Sequence, residues 1–123
     1  RSYIYTTASP PAQASAIIKS IEIIQQESWR RDKLNELIYY FKQQAANLGL
    51  NMMPSSTAIQ PLLVGDNHKA LSVSQQLFEQ GIHVTPIRPP TVPENTARLR
   101  FTLSADHDKK HIDRLFTVLN EAL

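Results

Sequence analysis

The chain has no cysteine, which excludes a disulfide framework and any zinc site built on thiolates, and which agrees with a cytoplasmic protein. It has no long uninterrupted apolar run, although 41% of its 123 residues are hydrophobic, so a bilayer span is excluded and no membrane partner is expected. It has no dominant charge: 13 Lys and Arg stand against 11 Asp and Glu, a net charge of +2. These charges form neither a run nor a stripe, and no nucleic-acid partner is expected. Internal repeats and low-complexity segments are also absent. So is an initiator methionine, because the first residue is Arg1, and a signal or transit peptide therefore cannot be assessed. The length suits one domain with a modest core.

Local signals define the expected elements. Ser9-Pro10-Pro11 predicts a helix start, with the Ser9 hydroxyl as N-cap and prolines where no amide donor is needed. Ile17, Ile18, Ile21 and Ile24 then recur at helical spacing, the pattern lapses from Glu27 to Trp29, and Leu34, Leu37, Ile38, Phe41, Ala45 and Leu48 resume it. This reads as a long helix bent near Ser28, with no domain boundary there, and Gly49 as its C′ residue. Ile59 to Val64 predicts a strand, Gly65-Asp66-Asn67 opens a helix through Gln80 that Gly81 stops, and Ile82 to Ile87 and Arg98 to Leu103 predict two more strands. Pro61 and Pro86 send the first two strands to the sheet edges and leave the third between them, antiparallel to both. Asp108 is placed to cap a last helix with Ile112, Leu115, Phe116 and Leu119 on one face. The predicted fold is α+β: a small, mainly antiparallel three-stranded sheet of split βαβ type, helices on one face, preceded by the long bent helix.

The chemistry-bearing stretch is Ile87 to Leu103. Pro89, Pro90 and Pro93 fix φ and push Arg88 and Val92 toward extended conformations, which predicts an ordered loop able to hold Thr91 steady. Alternation from Arg98 onward puts Leu99, Phe101 and Leu103 on one face and Arg98, Arg100 and Thr102 on the other. Arg100, projecting from a strand, suits two-point pairing with a carboxylate or phosphate, whereas Arg98 reads as a solvated neighbour. Pro90-Thr91-Val92-Pro93 fits the minimal PxxP pattern, but it runs straight into a strand and is discounted as a mobile ligand. His107-Asp108-Lys109-Lys110-His111 is a poor version of the zinc motif H-E-x-x-H, since a helix only begins there, so no metal site is assigned. His68 and His83 have no partner spacing. All six lysines fall on predicted helices and read as solvated.

Ile87 to Leu103, together with Tyr3 to Ala12 and Ala58 to Asn67, resembles the α-oxoamine synthases, pyridoxal-phosphate enzymes of fold type I. The blocks stand in the family's order, and the resemblance runs over essentially the whole chain. It implies a C-terminal small domain spanning residues 1–123, in which residues 1–9 form an interface segment leading from a large domain upstream. That domain would supply the Schiff-base lysine, so no catalytic residue is assigned here and the chain alone is expected to be inactive. In the family Thr6 and Thr7 match hydroxyls that contact the cofactor phosphate of the neighbouring subunit in a homodimer, and Arg100 and Thr91 match substrate contacts, with Arg88 a third candidate. Ile87-Arg88-Pro89-Pro90-Thr91 resembles the branch that condenses a pimeloyl thioester, on coenzyme A or acyl carrier protein, with L-alanine in biotin synthesis. Glycine C-acetyltransferases, with Tyr-Pro or Phe-Pro versions of this run, are the nearest alternative; a non-catalytic ligand-binding regulatory domain is the alternative from another class.

Overall fold

The two prolines at positions 10 and 11 do start a helix, but Ser9 is not its cap. In the computed structural model, which describes residues 8–123, α1 spans Pro11–Gln26 with Pro10 as N-cap and no side-chain cap. The Pro10 carbonyl accepts from the N–H groups of Gln13 and Ala14 at 3.0 and 3.2 Å. Pro10 already has the extended backbone an N-cap requires, which moves the start one residue on. The long bent helix is also corrected. α1 ends at Gln26 and α2 (Trp29–Asn47) is a separate helix, because Glu27 leaves helical geometry at φ −111°, ψ 59°. The described residues divide between Arg31 and Asp32 into two compact units. In the first, none of the α1 side chains is buried, and Ile17, Ile18, Ile21 and Ile24 are 48–60% exposed.

The second unit contains the rest of α2, β1 (Ile59–Gly65), α3 (Asn67–Glu79), β2 (Thr85–Ile87), β3 (Ala97–Thr102) and α4 (Lys109–Ala122). Strand order is β1-β3-β2, with β3 antiparallel to both neighbours, as the prolines indicate. Leu62 lies opposite Leu99 and Gln60 opposite Phe101, and all four are buried. Against this face pack Leu37, Ile38 and Phe41 of α2, Val73 and Leu77 of α3, and Ile112, Leu115, Phe116 and Leu119 of α4. Phe41 is fully buried, its ring centroid 5.5 Å from Phe101 and 4.9 Å from Phe116 in tilted geometry favourable to aromatic pairs.

Both predicted glycine stops are real. Gly49 (φ 64°) and Gly81 (φ 76°) take the left-handed conformation. Leu50 N–H then reaches the Ala45 carbonyl, and Ile82 N–H that of Leu77, at 3.0 and 2.9 Å, the long-range bond of the Schellman motif. α3 starts at Asp66, whose side chain accepts from Lys69 N–H at 2.6 Å. Surface pairs join α2 to α4: Lys109 to Glu36 at 2.6 Å, Lys33 to Asp108 at 3.3 Å, and the Tyr40 hydroxyl donating to Asp113 at 2.6 Å. Hydrogen bonding and charge from Lys109 hold the Glu36 carboxyl below its usual range, Lys33 does the same to Asp108, and the bond to Asp113 raises the Tyr40 phenol.

Two predictions follow from this packing. Phe41→Ala should lower the unfolding free energy by about 3–5 kcal/mol, measured by denaturant titration, because three elements lose a shared ring. The lowered carboxyls contribute stability that is present above their unfolded-state values and lost as pH falls through the folded ones. Replacing Glu36→Gln with Asp108→Asn should therefore flatten the decline of melting temperature between about pH 5 and pH 2, a modest effect for exposed pairs.

Candidate binding site on the open face of the sheet

The period-two alternation that buries Leu99 and Phe101 turns Arg98 and Arg100 to the face opposite the one on which α2, α3 and α4 pack. Arg100 lies between Pro61 of β1 and Thr85 of β2, and Arg98 between Leu63 and Ile87. The two arginines differ in what holds them. Arg98 is half-buried, with its Nε donating to the Thr96 carbonyl at 3.1 Å and its Nη2 to Thr96 Oγ1 at 3.3 Å. This corrects its reading as a solvated neighbour: it is a brace for the loop. Arg100 is exposed and, among the described residues, makes no hydrogen bond or ion pair.

The connection from Ile87 to Ala97 is built from successive local bonds. Thr91 N–H donates to the Arg88 carbonyl at 3.0 Å, the Thr96 hydroxyl donates to the Pro93 carbonyl at 2.7 Å, and Asn95 takes a positive φ of 59°. The Pro89-Pro90 peptide is cis. Arg88 and Thr91 are exposed on this connection, so they and Arg100 belong to one loop and the strand it feeds, although no hydrogen bond joins the three. The loop leaves the sheet at the Arg98 end, and Arg100 lies two residues further in. The result is a wall with an exposed guanidinium that is unpaired among the described residues, apolar neighbours at Pro61, Leu63 and Ile87, and a braced polar loop beside it. It can take an anion attached to a short apolar body.

The remaining candidates fall elsewhere. Thr6 and Thr7 lie outside the described residues. Lys19 is on α1, Lys33 and Lys42 on α2, Lys69 on α3, and Lys109 and Lys110 on α4, so no lysine belongs to the sheet. His107 precedes α4 and His111 is inside it, and no group of three His, Cys, Asp or Glu among the described residues could hold a metal ion. Sequence reasoning missed the Arg98 brace, for which the signal was the Thr-x-Arg spacing of Thr96 and Arg98 at a strand entry. It also missed the buried Gln60, whose amide donates to the Thr57 carbonyl at 2.6 Å.

The sheet is thus packed by helices on one side and, on the other, carries an exposed arginine beside a braced loop. Residues 1–119 match the family model of aminotransferase class I and II, and the chain belongs to that family. It is 54% identical to the 8-amino-7-oxononanoate synthase of Nitrosococcus oceani over 100% of this chain and 33% of that protein. Its fold is that of two solved structures: Sphingomonas wittichii serine palmitoyltransferase (23% identity, TM-score 0.88, 96% of this chain and 30% of that one) and 8-amino-7-oxononanoate synthase from Francisella tularensis (24% identity, TM-score 0.83, 95% and 34%). The chain spans about a third of the length of the curated relatives it matches.

The two arginines should separate in stability measurements. Arg98→Lys loses a two-point tie to Thr96 and should cost about 1 kcal/mol in denaturant unfolding, while Arg100→Lys should leave the midpoint unchanged.

Proposed function

We propose that residues 1–123 form the C-terminal small domain of a pyridoxal-phosphate-dependent 8-amino-7-oxononanoate synthase, an acyltransferase that condenses a pimeloyl thioester with L-alanine, with decarboxylation, in biotin biosynthesis. The kinship reported above supports the class. The observation that carries the site is the uncommitted Arg100 guanidinium on the open face. In this reading Arg100 pairs with the amino-acid or product carboxylate, Thr91 contacts substrate from the braced loop, and Arg88 adds a third contact at the rim. Sequence beyond this chain, of the length the relatives have, supplies the opposite wall as a large N-terminal domain, and the enzyme is a homodimer in which Thr6 and Thr7 reach the cofactor phosphate of the other subunit.

The described residues do not build a pyridoxal site by themselves, because no lysine stands on the sheet that bears Arg100. The cofactor would act as the electron sink of the reaction, and its Schiff-base lysine is assigned to the large domain. What this chain contributes is binding and orientation. A guanidinium fixed by a strand holds a carboxylate at two points, which sets the angle of the amino acid as well as its affinity. A membrane location has no support from the helices: among the described residues none is long and apolar enough to cross a bilayer.

In the full-length enzyme, Arg100→Lys keeps the charge and loses the planar fork, and affinity for L-alanine in equilibrium titration should fall about tenfold or more, about 1.4 kcal/mol. Arg98→Lys should bind L-alanine nearly as well as the parent. Equal losses in both variants, or a loss confined to Arg98→Lys, would remove Arg100 from the assignment. Thr6→Val with Thr7→Val should weaken retention of pyridoxal phosphate, and heterodimers with a lysine-deficient subunit should show the defect at one site only.

A further inference from the structure

A cavity of about 350 Å³ opens at the opposite end of β3 from the 88–96 loop. Its walls are apolar, with Ile82, Val84 and Leu115 among them, and its polar lining comes from His83, Thr102, His107, His111 and Arg114, with no carboxylate. Nδ1 of His107 accepts the Ser104 N–H at 3.1 Å, and Nδ1 of His111 accepts the Asp108 N–H at 3.0 Å. A ring nitrogen that accepts carries no proton, so the ring N–H of each of these imidazoles is the one on Nε2, which these bonds leave unused. The second bond works in capping-box fashion at the start of α4, with histidine in the place glutamate or glutamine usually takes.

Arg114 adds a permanent cation. Its Nη2 donates to the Gln80 carbonyl at 2.7 Å, which fixes the guanidinium beside the cavity with further N–H groups to spare. Of the neighbouring carboxylates, Asp108 pairs with Lys33 and Lys110 and Asp113 accepts from the Tyr40 hydroxyl, while the exposed Asp106 is not part of the lining. Two imidazole rings and one guanidinium lining the same apolar cavity offer donors from three residues, which suit a tetrahedral anion with several oxygens better than a planar carboxylate. We propose that this cavity, whose lining does not include Arg100, is a binding site for a phosphate monoester carrying a small apolar body.

The test uses the full-length protein loaded with pyridoxal phosphate and phenyl phosphate as the probe, read by titration calorimetry. Phenyl phosphate should bind, benzoate should bind at least several-fold more weakly, and benzyl alcohol should not bind measurably. Arg114→Gln should weaken phenyl phosphate at least tenfold. His111→Glu keeps an N3 acceptor for the Asp108 N–H but replaces the outward N–H with a negative charge, so it should abolish binding while leaving the melting temperature within a few degrees of the parent. Arg100→Lys should leave phenyl phosphate binding unchanged. Absence of binding, equal binding of benzoate or benzyl alcohol, indifference to Arg114→Gln and His111→Glu, or loss in Arg100→Lys would each overturn the proposal.

Discussion

The two-residue period of β3 constrains everything around it. Leu99 and Phe101 must face inward for three helices to share a core with the sheet, and once they do, Arg98 and Arg100 have only the other side to occupy. A slip of one residue would bury two guanidinium groups and expose the strand's apolar side chains, so register here is fixed by a desolvation cost far larger than any single contact on the open face. The position of the free arginine is thus a by-product of core packing, held by Phe41 and its two aromatic neighbours rather than by anything that touches Arg100 itself.

Much of this architecture was legible because it rests on strong local rules. Prolines at 61 and 86 sorted the strands, and glycines at 49 and 81 closed their helices through conformations that side-chain-bearing residues rarely adopt. The α4 stripe of Ile112, Leu115, Phe116 and Leu119 needed only helical spacing. The misreadings came where two rules compete or where a partner is not visible in the chain's order. Ser9 and Pro10 can both serve as an N-cap, and backbone geometry chose the proline. At Glu27 a lapse in the apolar pattern is compatible with a bend or a break, and periodicity alone does not choose between them.

The candidate site was partly legible in the same sense. Alternation placed Arg98 and Arg100 on one face, but the difference between them lies in Thr96, which ties up one and not the other. The histidines at 107 and 111 read as a weak metal pattern, whereas folding spends both Nδ1 atoms on backbone amides, an arrangement that depends on the turn before α4. In the proposed function the open face presents one side of a ligand, and the chain spans about a third of its relatives' length.

The two sheet edges have a consequence for how the sheet behaves in a crowded solution. On the outer side of β1, Met53 N–H donates to the Pro61 carbonyl and Leu63 N–H to the Asn51 carbonyl, so a short flanking segment already occupies that rim. β2 is three residues long with a proline at its middle. A foreign strand seeking to extend the ladder meets a filled row on one side, and on the other a stub whose central residue has no amide hydrogen to give. The sheet is closed to growth at both margins, and the domain is thereby kept from recruiting copies of itself edge to edge into fibres.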